Sequence, residues 1–341
     1  MPEFPRVPVA TRDRHLVDQH GEPFFWLGDT AWELIHRCNR DEIQMYAETR
    51  AKQRFNVVQT VILAELDGLR DPNPQGHTPL VDLDPTQPDP AYFEDVDFAV
   101  KTLNDAGLVA CLLPTWGDKV HKGWGVGPEV FGEDAPSEEE AIDRAMVFGD
   151  FLGDRYKDAA VVWMMVGDRR CTKPLHRQVW DAMAAGLRHG MDGRQLITSH
   201  AQGGTTSVDT LGGDPDWCDF HAIQSGHASN RNGPALLNKL AGETAKPFFE
   251  SEACYEEHPI MTPKWDGHDG YWSAEQVIKT AYESVEHGSF GYTYGAGPVW
   301  QMWQEGREPK QPMRMDWKAA LEIPGARAMA EFRDWAEARG A

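Results

Sequence analysis

Short apolar runs rich in β-branched and aromatic residues recur along the 341-residue chain, most of them closing on Gly, Asp, His or Trp. Eight of these runs read as strands: FFWLGDT at 24–30, NVVQTVIL at 56–63, VACLLPTW at 109–116, AVVWMMVGD at 160–168, LITSHA at 196–201, FHAIQSGH at 220–227, KPFFESEA at 246–253 and FGYTYGAG at 290–297. Between most of them the apolar spacing lengthens to that of an amphipathic helix, often with acidic residues near its start. Helices are predicted at 41–54, 92–106, 137–155, 176–189, 234–243, 274–287 and around 317–338, while the stretch between the fifth and sixth strands is short and poorly helical.

Eight strand and helix units in one chain of this length fit a (β/α)8 barrel better than a doubly wound sheet, which has fewer strands and a Gly-rich phosphate loop after the first. Neither GxGxxG nor GxxxxGK[ST] occurs. The sequence carries no repeat of solenoid period, and the Pro-rich stretch DPNPQGHTPLVDLDPTQPDP at 71–90 reads as a loop inside one architecture. The expectation is a single (β/α)8 domain spanning 1–341, with about 20 N-terminal residues as a lead-in segment.

Charge and cysteine content narrow the partners. Thirty-three basic against 54 acidic residues give −21, which repels phosphate backbones and anionic membrane surfaces. Nucleic acid and membranes are therefore not expected as partners, and no apolar run approaches the roughly 18 residues of a membrane span. Cys38, Cys111, Cys171, Cys218 and Cys254 form no CxxC pair and read as reduced thiols. With no apolar core in MPEFPRVPVATRDRHLVDQ to act as a secretory signal, the chain is expected to be cytoplasmic.

In a (β/α)8 barrel the chemistry sits at the C-terminal ends of the strands. Those ends carry Asp29 and then Trp32; Trp116, Asp118 and Lys119; Asp168 and Arg169; His200; Gln224 and His227; Glu250 and Glu252 before Tyr255; and Tyr294 before Trp300. Carboxylates, aromatic rings and neutral hydrogen-bonding groups suit a sugar, which offers C–H faces for stacking and hydroxyls for hydrogen bonds. Thirteen Trp residues fit the same reading.

Glycoside hydrolysis needs two carboxyl groups about the anomeric carbon, one to protonate the leaving oxygen and one to attack or to activate water. Asp168 and Glu252 close strongly apolar strands. Period-2 alternation places Met164, Val166 and Asp168 on one side of the fourth strand, and Phe248, Glu250 and Glu252 on one side of the seventh. A retaining pair stands about 5 Å apart and an inverting pair about 6.5–9.5 Å, a choice left open by spacing. Glu250, deeper on its strand, is expected to orient or balance charge. Metal motifs (HxH on the first strand, HExxH) and GxSxG are absent, and His200, His221 and His227 on adjacent strands read as hydrogen-bonding groups. No cofactor or metal is expected.

From residue 9 to about 335 the chain resembles the apiosidase-like family, glycoside hydrolase family 140 and its relatives. The motifs are FWLGDTAWEL at 25–34, FNVVQTVILAELDG at 55–68, LPTWGDKV at 113–120, RYKDAAVVWMMVGDRR at 155–170, FHAIQSGH at 220–227, KPFFESEACYEEHP at 246–259 and GYTYGAGPVWQMW at 291–303. The resemblance implies a (β/α)8 catalytic domain, here without the C-terminal β-sandwich of many relatives. It also implies an exo-acting, retaining hydrolase that releases a terminal furanose such as apiose from a small oligosaccharide or glycoside. The family's Gly-Gly-Asp-Arg acid/base falls on Asp168, and its Gly-Glu-Pro nucleophile on Glu252. Val166, Ser251 and Ala253 depart from those motifs, and a Val beside the acid predicts a narrower pocket. Asp29, Trp32, Trp116, Asp118, Arg169, His200, Gln224, His227, Glu250, Tyr255, Tyr294 and Trp300 are the expected substrate contacts. Two readings compete with hydrolysis by the carboxylate pair: a carbohydrate-binding barrel that no longer catalyses, suggested by the altered motifs, and a metal-dependent hydrolase.

Overall fold

A computed structural model describes residues 5–340. Among them, eight parallel strands form the barrel: β1 (Trp26–Thr30), β2 (Val57–Leu63), β3 (Val109–Thr115), β4 (Val161–Met165), β5 (Ile197–Ser199), β6 (His221–Gln224), β7 (Phe248–Glu252) and β8 (Gly291–Tyr294). Their order is β5-β4-β3-β2-β1-β8-β7-β6. The seam between β5 and β6 closes through the parallel bridge Thr198↔Phe220 and the Thr198 hydroxyl, which donates to the Phe220 carbonyl at 2.6 Å. Each strand lies within a few residues of its predicted run.

The helices are α1 (Arg40–Lys52), α2 (Pro90–Asp105), α3 (Glu138–Tyr156), α4 (Pro174–Gly190), α5 (Ser207–Leu211), α6 (Gly233–Glu243), α7 (Ala274–Glu286) and α8 (Pro324–Glu337). Local chemistry sets their starts. Asn39 and Glu42 form a capping box on α1, as Ser273 and Gln276 do on α7, satisfying N–H groups the helix cannot. The stretch after β5, too polar for a long helix, yields five residues in α5. The single helix expected at 317–338 is broken into Trp317–Ala320 and α8, because Pro324 lacks the N–H to continue a helix and instead starts one.

Two apolar layers result from strand alternation. Side chains such as Val61, Leu113, Met164 and Phe249 fill the barrel, and Val58, Leu112, Trp163 and Tyr292 pack outward in the main helix-facing core. Trp26, Phe220, Phe249 and Phe290 stack across the N-terminal end, with Trp26 5.0 Å from Phe249 and Phe249 5.2 Å from Phe290. The expected lead-in segment is in fact structured. Pro8–Arg12, His15–Asp18 and Pro23–Phe24 form an antiparallel sheet whose Val7, Leu16 and Phe24 join the inner cluster. The strands are short and bury little, so their alternation is too weak to read. With that end plugged, the opposite end is left for a site.

Candidate active site

The loops beyond the C-terminal ends of the strands enclose a cavity of about 750 Å³. Two carboxylates that alternation singled out both reach it, by different routes. Glu252 is the last residue of β7 and opens on the cavity with 7% of its side chain accessible. The expected alternation of Phe248, Glu250 and Glu252 fails, because β7 bulges at Ser251: Ile223 pairs with Glu250 and Gln224 with Glu252. Phe249 therefore fills the barrel, Glu250 turns toward the start of α6, and Glu252 is returned to the cavity. Asp168 reaches the cavity only because the chain leaves alternation after β4. Val166, Gly167 and Asp168 all have positive φ, at 79°, 74° and 52°. For a β-branched Val that value is an outlier and stores strain. A side chain on Gly167 would strike the Trp116 ring at 2.8 Å, and one on Gly117 would strike the Gly167 carbonyl at 2.4 Å, so the turn depends on both glycines.

This kink corrects the expectation for Val166. Its side chain turns outward into the helix-facing core and does not line the cavity, so it does not narrow the pocket. Ser251, at the β7 bulge, and Ala253, in the helix-facing core, do not line the cavity either; the Ser251 hydroxyl donates to the Ile223 carbonyl at 2.9 Å. The departures from the family motifs thus lie behind the site.

The Glu252 carboxylate accepts from three donors. His200 Nε2 donates to Oε2 at 3.1 Å, while Gln224 Nε2 and His227 Nε2 donate to Oε1 at 2.7 and 3.0 Å. Burial alone would raise its pKa, but the hydrogen bonds and charge of the two histidines outweigh burial and hold it well below the usual carboxylate range. Asp168 receives one hydrogen bond, from the Gly203 amide at 3.0 Å. Burial raises its pKa to about 6; Arg169 opposes the rise and the negative charge of Glu252 adds to it. One acid is kept ready to carry a proton and the other is kept charged, the division of roles that acid-assisted displacement requires.

Aromatic rings wall the same cavity. Trp32 and Trp116 stand 5.2 Å apart at 55°, His200 packs against both, and Tyr255 lies 4.4 Å from the His227 ring. Trp300 completes this group. The indole N–H groups of Trp116 and Trp300 and the Tyr255 hydroxyl are buried with no hydrogen-bond partner among the described residues.

Trp32, Trp116, Asp168, Gln224, His227, Glu252, Tyr255 and Trp300 therefore meet at one cavity. His200 and Glu250 stand behind it. Glu250 is fully buried, accepts from the Ser225 amide at 3.0 Å, and is pushed by burial to about 7. Arg169 is also buried behind the wall, with Nη1 donating to the Asp168 carbonyl at 2.8 Å.

Three expected substrate contacts lie elsewhere. Asp29 alternates with inward Trp26 and so faces α1, where Arg50 Nε donates to it at 2.7 Å and the Tyr46 hydroxyl also binds it. Tyr294 alternates with inward Thr293 and donates to Glu256 at 2.6 Å. Asp118 is consumed by its loop, accepting from Lys119 Nζ at 2.8 Å and from the amides of Val126 and Gly127. All three are fully buried.

Other cavity residues escaped the sequence reading. Glu65 lies two residues beyond β2, within reach of the strand-end rule, which produced no candidate on that strand. Trp124, Trp265, Lys310 and Gln311 come from long loops, where no periodicity marks a side chain as facing the site. Among the described residues no group of three or more His, Cys, Asp or Glu is arranged to hold a metal ion.

Residues 10–340 match the family model described as apiosidase-like, catalytic domain. Among solved structures the chain is similar to one titled a glycoside hydrolase (27% identity, TM-score 0.80, covering 97% of this chain and 74% of that one). It is also similar to a glycoside hydrolase family 5 protein from Bacteroides vulgatus ATCC 8482 (28% identity, TM-score 0.81, covering 98% and 73%). An endo-beta-1,4-mannanase from Thermotoga petrophila shares the fold at 13% identity, with TM-score 0.61 and coverage of 93% and 78%. No curated protein matches.

Proposed function

We propose, since this chain belongs to the apiosidase-like family of catalytic domains, that it is an exo-acting, retaining O-glycosidase that releases a terminal furanose, apiose or a close relative, from a small oligosaccharide or glycoside. The Asp168 carboxyl gives its proton to the glycosidic oxygen while the Glu252 carboxylate attacks the anomeric carbon. The glycosyl ester forms as the aglycone leaves as an alcohol. The Asp168 carboxylate then takes a proton from water, whose oxygen attacks the anomeric carbon, freeing the sugar and restoring both groups.

The observation that carries this reading is the opposed titration of two carboxyl groups in one cavity, Asp168 raised to about 6 and Glu252 held down by three donors. The aromatic wall and its unpartnered N–H and O–H donors support a hydroxylated substrate. Five unpaired cysteines, four of them buried, support a cytoplasmic setting. No helix among the described residues is long and apolar enough to cross a membrane.

The test is a screen of 4-nitrophenyl furanosides and pyranosides, with proton NMR of the first-formed sugar from the best substrate. A furanoside is expected to be cleaved with its anomeric configuration kept. Inversion would reject Glu252 as nucleophile, and preference for a pyranoside would reject the furanose.

A further inference from the structure

One carboxylate in the cavity wall has no part in the chemistry above. Glu65, on the loop after β2, lines the cavity with 10% of its side chain accessible. None of the described residues donates a hydrogen bond to its carboxylate. The nearest cationic atom, Arg169 Nη2, is 3.9 Å from Oε1, beyond hydrogen-bond reach.

Arg169 is held where it stands. Its Nη1 donates to the Asp168 carbonyl, its Nε donates to the Lys122 carbonyl at 3.3 Å, and its guanidinium lies 4.0 Å over the Trp124 ring. It therefore supplies counter-charge to Glu65 without occupying the lone pairs of either oxygen. A carboxylate nine-tenths buried that takes no donor from the protein keeps its acceptor sites for what enters the cavity. Burial pushes Glu65 to about 7, against the pull of Arg169 and with help from the charge of Asp118. What remains open to those lone pairs is the cavity.

We propose that Glu65 is a substrate-recognition residue whose two carboxylate oxygens accept hydrogen bonds from a pair of adjacent hydroxyls on the terminal sugar, so that the enzyme selects sugars with a free vicinal diol. The proposal rests on the glycosidase reading and adds a requirement to it.

The experiment takes the 4-nitrophenyl glycoside that the wild-type enzyme turns over fastest, with its counterparts lacking one ring hydroxyl. In assays above pH 7, where Glu65 is ionised, loss of a hydroxyl that binds it is expected to cut wild-type kcat/KM roughly 10- to 100-fold, the range for hydrogen bonds to a charged group. Glu65→Ala should lose a similar factor on the parent glycoside, mainly through KM, and should treat parent and deoxy compounds alike. Glu65→Gln, which keeps one acceptor and nearly the same volume, should fall between them and carries the test if the Ala variant fails to fold. An unchanged KM, or retained discrimination in both variants, would overturn the proposal. Those outcomes leave the glycosidase reading standing; a wild type that cleaves no glycoside in the panel overturns both.

Discussion

The ends of β4 and β7 deliver the same functional group to one cavity through different breaks in regular strand geometry and into different surroundings. β7 bulges at Ser251 just before Glu252, and residues at and after the ends of β5 and β6 supply three donors that fix the carboxylate and its charge. β4 stops at Met165, and three successive positive-φ residues swing Asp168 into a place where one backbone amide holds it. A nucleophile must be charged and aimed, so three donors hold it, two on Oε1 and one on Oε2, and leave a lone pair of Oε2 free to attack. A proton donor must be able to lose its charge, so it sits where few donors favour the anion. The structure pays for the second arrangement with strain at Val166.

The sharpest break of this comparison is removal of the nucleophile. Glu252→Gln is expected to lower kcat on aryl glycosides by about 10⁴-fold or more, measured as released nitrophenol. A loss under tenfold would mean that the donor-rich carboxylate is not the attacking one.

Asp168→Asn should cost less, about 10²- to 10⁴-fold, and least for substrates whose aglycone leaves without protonation. The same residue sets the alkaline limb of the pH profile. Activity needs Asp168 protonated and Glu252 ionised, so kcat/KM should fall above about pH 6 by roughly tenfold per unit, while Glu252 stays charged well into acid. In Asp168→Asn the alkaline limb should vanish; if it persists, another group titrates.

Much of this contrast was legible before the coordinates. All eight strands, and both acids at strand ends, follow from apolar runs and from the rule that barrel sites lie at C-terminal ends. Alternation, had it been counted outward from Trp26 and Thr293, would also have removed Asp29 and Tyr294 from the site. The kink at 166–168 was not legible, because period-2 reasoning assumes the strand continues and Val gives no warning of positive φ. Trp124 and Trp265 were out of reach for another reason: loops carry no period from which to infer a facing side.

A smaller effect tests the donors on the nucleophile. His200→Phe keeps a ring between Trp32 and Trp116 and removes the donor to Oε2. Loss of one charge-assisted hydrogen bond should lower kcat/KM by about tenfold and move the acid limb upward by about one pH unit. The alkaline limb, set by Asp168, should stay within a few tenths of a unit.

The smallest expected effect is on stability, and it turns on two acids of the same strand. Glu250 and Glu252 stand on either side of the β7 bulge, and Glu250, turned away from the cavity, has a single backbone donor, from Ser225, and is pushed by burial to about 7, the opposite direction from Glu252. An unfolded Glu titrates near 4.3, so between these values the native state binds more protons than the unfolded one. Stability from Glu250 is full below about pH 4 and is lost as pH rises through about 7, on the order of 2–3 kcal/mol. Glu250→Gln removes that titration while keeping an acceptor for the Ser225 amide, so other groups cancel when the two proteins are compared. The melting temperature of the wild type relative to the variant should fall by a few degrees between pH 5 and pH 8. A difference independent of pH would show that Glu250 is ionised throughout, and that donor number does not separate the two glutamates.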